Sequence, residues 1–238
     1  MPDVEVGPVV GGSDRLKGYV AVPEGGGPWP GVVVLHEALG VNDIVRRQTD
    51  RIASAGYVAL APDLFSDGGA ARCLMTTFRA LFAGRGKAIA DIDAAREYLK
   101  ASDQCTGKVG VVGFCMGGGF ALVTANRGFD VAAPNYGQLP RSIETALTGA
   151  CPIVASYGGK DVLLRGAANK LTRTLHTLEI EHDVKEYPDA AHCFLNDRYF
   201  GRAPAQSVQR ILNVGPNPEA AADAWRRIEE FFARHLAG

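Results

Sequence analysis

A chain of 238 residues, 47% hydrophobic and 21% charged, has the apolar material of an ordinary globular protein with a sizeable core. Its formal net charge of −1 and the lack of any Lys/Arg run exclude the basic footprint of a nucleic-acid or membrane-surface binder. The N-terminal MPDVEVGPVVGGSD lacks the basic and apolar segments of a signal peptide, and no apolar run approaches the roughly 18 residues of a membrane span, so a soluble, cytoplasmic protein is expected.

At this length an α/β chain is commonly one domain, and residues 1–238 are read as a single unit. Short apolar runs alternate with longer amphipathic stretches, the pattern of a mostly parallel sheet with helices on both faces. Residues 31–36 (GVVVLH) form a β-branched strand, and 43–55 a helix closed by Gly56. Residues 57–61 (YVALA) make the next strand, closed by Pro62. The stretch 64–86 reads less clearly, as a helix with flanking loops that carries Arg72, Arg79 and Arg85. Ile89, Ile92, Ala95 and Leu99 give 87–101 an apolar helical face. Strand 108–114 and helix 117–126 follow, then strands 131–135, 152–157 and 182–187, with helices over 166–178 and 218–236. The last helix sets Trp225, Ile228, Phe231, Phe232 and Leu236 on one side.

Five scattered cysteines with no CxxC pair argue against both a disulfide framework and a zinc site, and Cys73, Cys105 and Cys151 read as small buried hydrophobes. Cys115 differs. It centres Gly113-Phe114-Cys115-Met116-Gly117-Gly118-Gly119, between a strand and a helix, in the form G-x-nucleophile-x-G. Glycines two residues either side leave room for the tight turn, and the helix start favours a thiolate. The N–H of Met116 is placed to meet an oxyanion. Neither GK[ST] nor GxGxxG is present, so a phosphate-cradling loop does not fit, although a turn made only for tight packing stays open.

Downstream, Asp161 follows the strand ending YGGKD and His192 follows the next, in the chain order nucleophile, acid, histidine. Both therefore leave the sheet at the same end as Cys115, His192 as base and later acid, Asp161 to orient it. Asp189 is the alternative acid, though close in sequence to His192. His176, His182 and His235 suit solvated or capping roles. Glu37, after the strand at 31–36, can reach the nucleophile or be a plain loop acid, and no second histidine makes its HE pair a zinc motif. The N–H of Ala38 is the candidate second oxyanion donor.

These residues resemble the dienelactone hydrolase (carboxymethylenebutenolidase) family, through LHEALGV (35–41), APDLF (61–65), VGVVGFCMGGGFAL (109–122), YGGKD (157–161) and AHCFLND (191–197). The resemblance implies an α/β-hydrolase fold of about eight strands without a large cap, a Cys115–Asp161–His192 triad, and a role for Glu37 in generating the thiolate. It also implies hydrolysis of a small-molecule ester or lactone through a thioester, with no cofactor or metal. Family members that process dienelactone hold its carboxylate with two arginines, one of them four residues past the histidine. That position is Asn196 here, and Arg72, Arg79, Arg85 and Arg198 are the possible substitutes, with Arg72 and Arg79 favoured as contacts for an anionic substrate group.

Competing readings are a thioesterase or general esterase with another acyl substrate, a non-catalytic homologue, and a redox sensor at Cys115, for which the sequence shows no resolving cysteine. A monomer or small homo-oligomer is expected, with neither nucleic acid nor membrane as partner.

Overall fold

In the computed structural model, which describes residues 3–201, 203–211 and 214–237, the apolar runs line up as one eight-stranded sheet. The strands are β1 (Asp3–Gly7), β2 (Leu16–Ala21), β3 (Trp29–Leu35), β4 (Val58–Pro62), β5 (Cys105–Phe114), β6 (Val131–Asn135), β7 (Ile153–Gly158) and β8 (His182–Tyr187), in the spatial order β1-β2-β4-β3-β5-β6-β7-β8. From β4 to β8 all neighbours are parallel, whereas β2 runs antiparallel to β4 and β1 antiparallel to β2. The mostly parallel α/β architecture agrees with the alternation read from the sequence. The two N-terminal strands do not appear in that reading. β1 has no buried residue and β2 is interrupted by the exposed Lys17, so neither shows the continuous apolar run of a strand covered on both faces.

Among the described residues, eight α-helices accompany the strands: α1 (Asp43–Ser54), α2 (Ala70–Ala83), α3 (Lys87–Lys100), α4 (Met116–Thr124), α5 (Ile143–Leu147), α6 (Ala167–Thr177), α7 (Ala203–Ile211) and α8 (Pro218–Leu236). The unclear stretch at 64–86 resolves into α2, closed by Gly84 in a left-handed conformation. Two ends are fixed by side chains. Asn42 Oδ1 accepts from the N–H groups of Ile44 and Val45 at the start of α1, and Asn217 Oδ1 accepts from Ala220 at the start of α8. Residues 31–35 of β3 and all of β4, β6 and β7 are buried, so both sheet faces are covered there. Leu35 pairs with Gly113, Phe114 with Asn135 and Gly158 with Tyr187, which brings the chain segments after β3, β5, β6, β7 and β8 to one edge. Among the described residues no helix is long and apolar enough to cross a membrane.

Candidate active site

The turn from β5 into α4 is built for one side chain. Cys115 holds φ 55 and ψ −114, a conformation an L-residue adopts only when its surroundings force it. The glycines supply that force by letting backbone approach. A β-carbon on Gly113 would collide with the Gly117 carbonyl, one on Gly117 with the Leu35 carbonyl, and one on Gly118 with the Asn135 carbonyl. The N–H of Cys115 donates to the Asn135 carbonyl at 3.1 Å, so the turn is also tied to β6.

His192, in the loop after β8, pairs with this side chain. Its Nδ1 lies 2.6 Å from Asp161 Oδ2, while Asp161 Oδ1 accepts the N–H of Leu163 at 3.0 Å in the 3₁₀ turn Val162–Leu164. Both carboxylate oxygens are thus committed, which orients the ring and leaves Nε2 for Cys115. Burial opposes a charged imidazole, but Asp161 and the hydrogen-bonded Cys115 outweigh it and raise His192 to about 10. The thiol moves the other way, well below its usual value. The largest cause is a hydrogen bond from Cys193, opposed by burial and reinforced by His192 and the N–H of Met116. Both shifts favour a thiolate beside an imidazolium.

Behind the thiolate lies a second acid. Glu37 is buried, and desolvation followed by the charge of Cys115 pushes its carboxyl up to about 8, against hydrogen bonds from Cys193 and Asn196. At neutral pH it therefore holds its proton while Cys115 holds the negative charge. Cys193 acts on both: its interactions with Cys115 and Glu37, together with burial, drive its own thiol well above the normal range. A thiol has a single proton to donate, so these two acceptors share it.

Three of the four non-glycine residues with left-handed backbone among the described residues belong to this cluster: Cys115 (φ 55), Tyr136 (φ 39) and Cys193 (φ 62). The buried Tyr136 ring packs 5.2 Å from the His192 ring and 5.5 Å from Phe194. Neither Tyr136 nor Cys193 was singled out by the sequence reading. Cys193 is the neighbour that a search for a resolving cysteine did not find, because its direction depends on a backbone angle. Cys73, Cys105 and Cys151 are half-buried against the core instead of fully enclosed.

Asn196 does something other than meet a substrate acid group. It is buried, its Nδ2 donates to Glu37 at 3.3 and 3.4 Å, and its Oδ1 accepts from Gln48 Nε2 at 3.0 Å. Next to it, Asp197 takes a bidentate pair from Arg47 at 2.6 and 2.8 Å, so α1 is stapled to the histidine loop at two consecutive positions. Arg72 and Arg79 are exposed on α2, and neither pairs with a site residue among the described ones. Asp189, the alternative acid, pairs with Lys160 at 2.9 Å on the surface.

Residues 16–236 match the profile of the dienelactone hydrolase family. The chain belongs to that family. It is thereby a carboxylic ester hydrolase by kinship, as its relatives indicate. A candidate carboxymethylenebutenolidase of Saccharolobus solfataricus is 28% identical across 92% of this chain and 94% of its own length. A protein of Aquifex pyrophilus named usf is 30% identical across 93% and 94%. Among solved structures, a candidate dienelactone hydrolase of Klebsiella pneumoniae superposes with a TM-score of 0.81 at 24% identity, covering 98% of each chain, which concerns the fold.

Proposed function

We propose that this dienelactone hydrolase family member cleaves small carboxylic esters or lactones through a thioester on Cys115. The observation that carries the reading is the strained Cys115 at the elbow, hydrogen-bonded to a His192 that Asp161 holds at 2.6 Å. The thiolate attacks the substrate carbonyl, and the N–H groups of Met116 and Ala38 receive the oxyanion. When the C–O bond breaks, His192 protonates the leaving oxygen from Nε2. Water then enters, His192 takes one of its protons, and the hydroxide cleaves the thioester to release the acid and the thiolate. Glu37 keeps its own proton during the resting state and so adds no second negative charge directly behind the Cys115 thiolate.

The surroundings favour a neutral substrate. Asn196 is consumed by Glu37 and Gln48, the exposed Lys160 beside Asp161 is paired with Asp189, and the large exposed side chains at Leu39 beyond Ala38 and at Val162 and Leu163 beyond Asp161 are apolar. A desolvated carboxylate without a cationic partner is costly, so anionic lactones should be poor substrates. Rapid quenching with a p-nitrophenyl ester followed by intact-mass measurement should show an acyl adduct on Cys115 and none on Cys115→Ala. Turnover should fall when a carboxylate is placed on the acyl part, and Arg72→Met and Arg79→Met should leave that ratio unchanged. An acyl adduct elsewhere, or wild-type activity in Cys115→Ala, would overturn the mechanism.

A further inference from the structure

His36 takes no part in the chemistry described above, yet it is fully buried at the end of β3 and each of its ring nitrogens has a defined partner. Nε2 lies 3.1 Å from the N–H of Leu64, which only donates, so this nitrogen is the unprotonated one. Nδ1 then carries the hydrogen and donates it to the carbonyl of Glu37 at 2.6 Å. Burial lowers the ring's basicity and keeps it neutral, against the Glu37 carbonyl and the more distant Asp63. The same Glu37 carbonyl accepts the N–H of Gly40 at 3.2 Å. Gly40 sits at φ 75, where an added β-carbon would come within 3.2 Å of Phe65, and the Phe65 ring also packs at a tilt on the His36 ring at 4.8 Å. One carbonyl is therefore clamped from two sides by groups that are themselves wedged in place.

The consequence lies on the far side of that peptide. The Glu37–Ala38 bond is trans, and in a planar trans peptide the C=O and N–H point in opposite directions. Holding the carbonyl of Glu37 thus fixes the direction of the N–H of Ala38. Leu35 pairs with Gly113 on the adjacent parallel strand, so Ala38 and Met116 stand at the same distance beyond a paired position. The elbow is packed so closely onto this strand end that a β-carbon on Gly117 would also strike the His36 carbonyl.

We infer that His36 is a positioning residue for the oxyanion hole: it locks the Glu37–Ala38 peptide so that the N–H of Ala38, with that of Met116, faces the carbonyl oxygen of the acylating substrate. The inference rests on the reading of Ala38 and Met116 as the two donors. It separates His36 from Glu37 and Cys193, which act on the thiolate. Without the clamp the peptide can rotate, presenting a carbonyl where charge must develop.

The test compares two reactions of the same thiolate. Acylation by p-nitrophenyl acetate passes through an oxyanion, whereas alkylation by iodoacetamide displaces iodide at a saturated carbon and forms none. His36→Leu should lower the acylation rate constant by about a hundredfold, the scale of losing one oxyanion donor, while KM changes little and alkylation of Cys115 stays within about twofold. His36→Gln keeps both a donor and an acceptor and should recover most of the acylation rate. Should His36→Leu not fold, His36→Asn, too short to span Leu64 and Glu37 together, should show the same split between the two reactions. Wild-type acylation in the folded variants, or equal losses of acylation and alkylation, would overturn the inference. Wild-type protein that alkylates at Cys115 but acylates with no ester would count against the functional reading and this one together.

Discussion

Two of the buried polar clusters among the described residues treat charge in opposite ways. Under α8, Arg227 is buried but well provided for. Its Nε meets Asp183 Oδ2 at 2.9 Å, Nη1 meets the Ser156 and Tyr187 hydroxyls at 3.2 Å each, and Nη2 meets the Asp183 carbonyl at 2.8 Å. At the strand ends, Glu37 has only the long amide contacts of Asn196 and the weak thiol of Cys193, with a thiolate alongside. A satisfied buried charge fixes packing, whereas an under-satisfied one becomes responsive to protons. Burial alone does not mark a functional site. The supply of partners does.

The sharpest way to break this contrast is Cys115→Ala. Ester hydrolysis should fall by several orders of magnitude, with the melting temperature at pH 8 unchanged or higher, because the negative charge beside Glu37 is gone. Measured turnover within about tenfold of wild type would show that the strained cysteine is not the nucleophile. Arg227→Met should do the reverse, costing about 2–3 kcal/mol in denaturant unfolding while each folded molecule keeps its kcat. If activity fell in step with that substitution, the two clusters would be one system.

Glu37→Gln sharpens the comparison through pH. The folded carboxyl titrates near 8 and the unfolded one near 4.5, so the folded state binds the extra proton between them. That contribution to stability is complete below about 4.5 and is lost as pH rises through about 8. The variant cannot ionise, so its melting temperature relative to wild type should climb across this window. A constant difference would mean that Glu37 ionises normally. The smallest effect is expected from Cys193. Cys193→Ala removes the largest cause of the lowered Cys115 thiol and should move the pH midpoint of Cys115 alkylation upward, with less thiolate at the acid end. Cys193→Ser should restore most of it, and identical profiles for all three proteins would assign the thiolate to His192 alone.

Much of the central architecture is legible because it is repetitive. Runs such as VVVL in β3 and the one-sided apolar face of α8 announce burial directly. β1 and β2 do not, since half-exposed antiparallel strands carry mixed residues, and the five-residue α5 is too short to show a period. Cys115 and its glycines could be found because a tight turn imposes spacing along the chain. The partners of Glu37 were hidden for the opposite reason. Asn196 lies 159 positions away in sequence, and the direction of Cys193 is set by a φ of 62 that no residue type advertises.

The paired tethers between α1 and the segment after β8 bear on how this molecule opens. Arg47–Asp197 and Gln48–Asn196 join successive positions on a helix to successive positions on a loop, in opposite chain directions, like two teeth of a zip. Lifting the loop that carries His192 means parting both, and parting them strands the Asn196 amide that Glu37 needs. Amide exchange in residues 192–197 should accordingly be governed by the same opening event as the middle of α1, and His192 should be among the last parts of the surface to fray.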